Sequence, residues 1–176
     1  MPKITPFLWF DDDAEAAAKF YVSVFKQNSK IKVVTRYGKS GPGKPDSAMT
    51  VRFQLNGQEF IALNGGPVFK FTEAVSFVVN CPTQKEIDYY WKKLSAGGKE
   101  IQCGWLKDRY GLCWQITPAN FGKLITSRDP ARTDRVMKAM YGMVKLDIAA
   151  LNAAYDGSTK RRGKKVASKA ERRSTS

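Results

Sequence analysis

Cys103, in the run QCGWLKD, is the residue whose type best suits it to nucleophilic chemistry. It stands beside Gly104 with Lys107 nearby, and a thiol near a cation ionises below its ordinary pKa and attacks as the thiolate. Such a thiol still needs a base, and the sequence contains no histidine. A buried structural cysteine is the stronger reading, which leaves Cys103 a weak catalytic candidate. Cys81, Cys103 and Cys113 are odd in number and lack a paired ligand spacing, which suits free thiols in a reducing compartment. The acidic run Asp11-Asp12-Asp13 offers oxygen donors for a hard divalent cation. It directly precedes a helical pattern, however, where carboxylates cap the first turn. Three-histidine and two-histidine-one-carboxylate centres are excluded outright. No metal ligands and no cofactor are expected.

The elements that must position these residues occur twice. Phe7 to Phe25 overlays Ser76 to Leu94 at a constant offset of 69 residues, and in each copy an apolar strand runs into a capping turn and then a helix. Ala18, Tyr21, Val22 and Phe25 share one helical face, as do Ile87, Tyr90, Trp91 and Leu94. The first copy is expected to run as strand 4–10, a helix from Asp11 to about Lys26, and strands 31–37, 48–55 and 59–63. Asn56-Gly57 joins the last two as a tight hairpin. The second copy is expected as strand 74–80, a helix opened by the Thr83/Glu86 capping box and stopped at Gly97-Gly98, and strands 99–103, 105–107 and 112–117. Each copy is thus βαβββ, an α+β arrangement. Asp129-Pro130 opens a further helix with Val136, Ala139, Met140 and Met143 on one face, and a short helix through Ile148, Leu151 and Tyr155 closes the domain.

At 176 residues, 43% hydrophobic and 12% aromatic, the chain can bury a core without staples. It has no run of the roughly 20 apolar residues that a membrane span needs and no secretory signal pattern, so a cytoplasmic location is expected. One folded domain is expected over residues 1–156, with modules at about 3–64 and 74–118 and a helical end at 119–156. Half of the formal net charge of +14 sits in residues 157–176, where eight basic residues face Glu171 alone. Such a segment buries too little to order itself and reads as a disordered tail. Its expected role is solubility or weak attraction to a polyanion, and it carries no aromatic residues to stack on bases.

The stretches ITPFLWFDDDAEAAAKFY, GQEFIALNGGPVFKF, SFVVNC and QCGWLKDRYGLCWQI, with the helical end VMKAMYGMVKLDIAAL, resemble the PhnB-like branch of the vicinal oxygen chelate superfamily. This is the fold of glyoxalase I, extradiol dioxygenases and bleomycin-resistance proteins. Members of the branch carry the description 3-demethylubiquinone-9 3-methyltransferase. The resemblance covers residues 3 to about 155. It implies two modules that curl into a cup, with metal ligands on the first and last strands of each, and a homodimer. Carried over, those positions fall at Phe7, Ser76 and Gln115, with Ala62 or Asn64 as the fourth. Phenylalanine cannot bind a metal, and serine and glutamine replace imidazole and carboxylate poorly.

By strand alternation Phe7 and Trp9 face one way, with Leu8 and Phe10 against the helix. Ser76 and Val78 likewise lie opposite Phe77 and Val79, and Gln115 shares a face with Cys113 and Thr117. The lining expected of a ligand cup is Phe7, Trp9, Asn64, Ser76, Trp105 and Gln115, suited to a small, partly aromatic or amphipathic molecule. These residues equally fit a closed core. Two rivals to metal-free binding stand beside it: an enzyme using a carboxylate-bound divalent ion or metal-free acid/base chemistry, and a dimeric platform that works through its tail. Methyl transfer finds no support in a cofactor motif. Gly65-Gly66 precedes an extended linker and Gly41-Pro42-Gly43 lies in a hairpin loop, so neither opens a helix.

Overall fold

The computed structural model describes residues 2–158, so the expected basic tail falls outside the described residues beyond Ser158. Module 1 consists of β1 (Phe7–Phe10), α1 (Ala14–Phe25), β2 (Lys30–Arg36), β3 (Ala48–Leu55) and β4 (Gln58–Asn64). Module 2 consists of β5 (Phe77–Cys81), α2 (Gln84–Ser95), β6 (Lys99–Glu100), β7 (Trp105–Lys107) and β8 (Cys113–Pro118). The sheets repeat one topology, β1-β4-β3-β2 and β5-β8-β7-β6. In each, the first strand lies parallel to the last, because the helix between them forms a crossover.

The two helices are stopped and started by different means. In α2 the capping box forms: Glu86 N donates to Thr83 Oγ1, and Thr83 N donates to Glu86 Oε2 at 3.0 Å. Past the helix, a Cβ on Gly98 would stand 2.1 Å from the carbonyl oxygen of Lys107, so only glycine fits there. At the opposite hairpin Asn56 and Gly57 both have positive φ, 45° and 87°, which matches the twist of the flanking strands. Expectation and structure part at α1. Asp13 occupies the N-cap position but makes no side-chain cap bond. The Oδ1 of Asn64 takes the Ala14 N–H instead, at 2.7 Å.

One apolar core serves both modules. Leu8 and Phe10 of β1, Phe53 of β3 and Phe60 of β4 turn toward α1, while Val79 of β5 and Trp114 and Ile116 of β8 turn toward α2. The rings then meet across the module boundary. Tyr21 of α1 contacts both Phe53 and Trp114, Phe25 contacts Trp114 and Tyr90, and Phe60 contacts Phe77. The helix-covered faces of the two sheets therefore converge on one interior, and their other faces, the open faces below, look away from it.

A buried polar group lies inside this aromatic layer. Asp108 is 3% exposed. Its Oδ2 accepts from Tyr21 Oη and Trp114 Nε1, both at 2.8 Å, and its Oδ1 accepts from the backbone N–H groups of Tyr110 and Leu112. Burial pushes the Asp108 carboxyl above its ordinary pKa, outweighing the four donors that favour the anion. Burial, together with the facing carboxylate, raises the Tyr21 phenol as well.

The helical end comprises α3 (Phe121–Ile125), α4 (Pro130–Tyr141) and α5 (Ile148–Asp156). The short α3 was not expected, whereas α4 and α5 were. The stripe along α4 stops early: Tyr141 is its last residue, and Met143 reaches the same cluster from beyond Gly142. Arg135 closes α5 by donating to the Ala154 and Tyr155 carbonyls. Among the described residues no helix is long and apolar enough to cross a membrane.

Asp108→Asn keeps the shape but points an amide N–H at two donors, and should cost about 1–3 kcal/mol in chemical denaturation. The sign of its pH dependence follows from the raised pKa. Above an ordinary carboxyl pKa the unfolded chain loses this proton first, so the parent's stability from this group falls as pH rises. The deficit of the variant should thus be largest in acid and shrink toward neutrality. A deficit that grows with pH would show that the four donors, not burial, dominate.

Candidate functional site

On the open face of sheet 2, the period-two alternation of strands sets Val78, Gln115 and Trp105 in one row across β5, β8 and β7. Ser76 precedes β5, and Gln115 Nε2 donates to its Oγ at 2.9 Å. Three of the residues expected at a site, Ser76, Trp105 and Gln115, are thereby brought together. Lys107 shares this face, and its ammonium meets Glu73 Oε1 at 2.7 Å, which raises the lysine pKa and lowers that of the carboxyl. Cys113 also shares the face but is fully buried, and burial raises its thiol pKa.

The open face of sheet 1 carries Phe7 and Trp9. Phe7 pairs with Ile61 and Trp9 with Leu63, so four apolar side chains form a patch across β1 and β4. Phe7 is 56% exposed. Trp9 is held more firmly: its Nε1 donates to Gly66 O at 2.9 Å, and Phe69 meets its ring edge-on at 5.0 Å. A Cβ on Gly65 would overlap the indole at 2.3 Å. The segment after β4 thus folds back over the end of β1. Sequence reading passed over Phe69 and Phe71, although two aromatics at spacing two in GGPVFKFTE mark a segment that covers a surface.

The register also corrects the fourth expected position. Trp9 and Val78 are related by the repeat, and they pair with Leu63 and Gln115 respectively. Leu63 is therefore the counterpart of Gln115, and Ala62 and Asn64 point to the helix-covered face, where both are buried. Both ends of the Asn64 amide are engaged, since its Nδ2 donates to Ala48 O at 3.0 Å in addition to the bond with Ala14 N. Its own carbonyl accepts from the Tyr37 hydroxyl. Asn64 accordingly fastens α1, β3 and β4 from behind the open face.

Cys103 stands apart from both faces. It has a φ of 62°, its N–H donates to Met143 O, and it packs against the helical end. Cys81 is buried, and burial lifts its thiol to about 12.

The donor set does not fit a transition metal. Phe7 offers carbon, Ser76 and Gln115 bond to each other, and Leu63 replaces the fourth position. Among the described residues no group of three or more Cys, Asp or Glu is arranged to hold an ion.

Paired βαβββ modules with this strand order define a vicinal oxygen chelate fold. The chain belongs to the 3-demethylubiquinone-9 3-methyltransferase family, whose model matches residues 2–117. It is similar to a putative 3-demethylubiquinone-9 3-methyltransferase, PhnB protein, from Bacillus cereus, with 41% identity and a TM-score of 0.62 over 67% of this chain and 100% of that one. A protein from Pseudomonas aeruginosa shares the fold at 18% identity and a TM-score of 0.57, over 67% and 98% of the two chains. So does a fosfomycin resistance protein, FosX, from Listeria monocytogenes, solved with Mn(II) and 1S,2S-dihydroxypropylphosphonic acid. Its values are 15% identity and a TM-score of 0.50, over 69% and 95%. No functionally curated protein matches the sequence.

Asn64→Ala removes the acceptor for a buried helix N–H and the donor to Ala48 O. It should lower folding stability by about 1–3 kcal/mol and speed amide exchange in the first turn of α1 while leaving α2 protected. Unchanged exchange at Ala14 would show that the amide does not fasten the helix.

Proposed function

We propose that this protein binds a small, partly aromatic or amphipathic organic molecule on the open faces of its sheets, without a transition metal, as a homodimer. The observation that carries this reading is the division of the candidate residues. Phe7, Trp9, Ile61 and Leu63 form an apolar half on one sheet, and Ser76, Trp105 and Gln115 form a polar-aromatic half on the other. Within one chain the halves look away from a common core, so a second copy is what brings an apolar half over a polar one. The exposure of Phe7 and of Val78, 56% and 51%, supports a partner surface at both, and a two-fold pair is the commonest closed assembly. Apolar walls with a few placed polar groups suit a small ligand.

Methyl transfer, which the family description names, draws no support from the chain's own residues. Gly65 and Gly66 bond back to Phe10 O and Asp11 O and lead into the segment over Trp9. They open no helix that would receive a cofactor.

Sedimentation should give a dimer, and the melting midpoint should be unchanged in a strong chelator. One transition metal per chain that survives purification would overturn the metal-free reading. For a ligand found by native mass spectrometry, Trp9→Ala and Gln115→Ala should each weaken binding by more than their effect on unfolding accounts for. A core role for Trp9 would instead show as about 3–5 kcal/mol of lost stability with proportionate loss of binding. Full retention of binding in both variants would place the site off the open faces.

A further inference from the structure

The two modules leave a cleft between them that shares Val78 with the open face of sheet 2 but includes none of Phe7, Trp9, Ser76, Trp105 or Gln115. It has a volume of about 510 Å³ and lies between the C-terminus of α1, the β3–β4 hairpin, the free edge of β5 and α2. Its floor is aromatic: the partly exposed Phe77 lies between two nearly buried rings, 5.3 Å from Phe60 and 5.7 Å from Trp114 between centroids. Its rim is made of carboxamides and one phenol. Asn28 and Gln58 are already occupied, since Gln54 Nε2 donates to Asn28 Oδ1 at 2.7 Å and Gln58 Nε2 donates to Glu59 O. Gln27, Asn56 and Tyr90 remain on the rim to meet a ligand, with Asn56 within reach of the Tyr90 hydroxyl.

The charge of the rim selects among ligands. Among the described residues Glu86 is the only Asp, Glu, Lys or Arg in the lining, and its carboxylate is engaged by Thr83. Burial raises the pKa of Tyr90 above that of an ordinary phenol. Among the described residues no cation lines the cleft to pair with a phosphate or carboxylate. Carboxamides present a donor and an acceptor side by side, which matches neighbouring hydroxyls, and an aromatic floor covers the apolar face of a ring. The volume lies within the range of small-molecule sites.

We propose that this intermodule cleft is a second binding site, for an uncharged polyhydroxylated ring compound of the size of a monosaccharide or nucleoside, held by Gln27, Asn56 and Tyr90 over the Phe60–Phe77–Trp114 floor. Free sugars and the ribose of nucleosides share this chemistry, and the choice of probe separates them.

The test is titration of the full-length, isotopically labelled protein with glucose, uridine and uridine monophosphate, followed through backbone amide shifts. Glucose or uridine at millimolar concentration should shift Gln27, Asn56, Gln58 and Asn80 of β5, which also lines the cleft, together and saturably, while the monophosphate binds more weakly than uridine. A response to glucose identifies a sugar site; a response to uridine alone identifies a site that also needs the base. Gln27→Ala and Tyr90→Phe should each weaken the responding probe by about fivefold, the loss of one hydrogen bond. Gln27 is exposed, so its variant carries the test even where Tyr90→Phe disturbs packing. The proposal falls if neither neutral probe shifts these amides, if the shifts lie at Ser76 and Gln115 instead, if the monophosphate binds most tightly, or if Gln27→Ala binds as the parent does.

Discussion

The Asp108 carboxylate is the contact on which the placement of everything else depends. An isolated carboxylate in an aromatic interior is costly, and here the cost is contained only because four donors converge on it. Two of these come from the backbone of its own turn and one from Trp114, all within module 2. The fourth is the hydroxyl of Tyr21, from α1 of module 1. Satisfying the carboxylate therefore fixes α1 against β8, and with it the direction in which each sheet turns its open face. Hydrophobic area alone would hold the modules together in many orientations; a buried acceptor with one donor from across the boundary selects among them.

The repeat made the fold legible. A strand, a capping signal and a helix recurring at one offset gave both modules, and the Asn56-Gly57 and Thr83/Glu86 signals placed a turn and a cap that the structure contains. What escaped the sequence was set by tertiary contact. Three aspartates before a helix are a strong local capping pattern, yet the cap comes from Asn64, fifty positions away along the chain. Ala62 and Asn64 share one face and Leu63 between them takes the other, so a slip of a single residue puts the fourth position on the wrong side, and only the pairing of Trp9 with Leu63 fixes the register. Ser76 and Gln115 were named through the resemblance, whereas the position of Trp105 beside them follows from its pairing with Gln115, which only the structure gives. The intermodule cleft was not, because no segment by itself contains it.

The two sheets share a topology and differ in chemistry. At equivalent points Trp9 and Leu63 stand in one and Val78 and Gln115 in the other, so duplication of the backbone left two surfaces of unlike character. Membership in the 3-demethylubiquinone-9 3-methyltransferase family accounts for that backbone. The chemistry of each open face rests on its own side chains, a phenylalanine and an indole on one and a serine-glutamine pair on the other.

The contrast between the helix caps carries a consequence for the order of folding. Helix α2 begins with a box closed within its own first turn and can nucleate as soon as residues 83–95 are available. Helix α1 begins on an amide that belongs to the last strand of its module. During synthesis, its first turn waits until residue 64 has left the ribosome and β4 has docked beside β1. Module 1 should then form in one cooperative step once its last strand is present, whereas the cap of α2 needs nothing outside its own first turn.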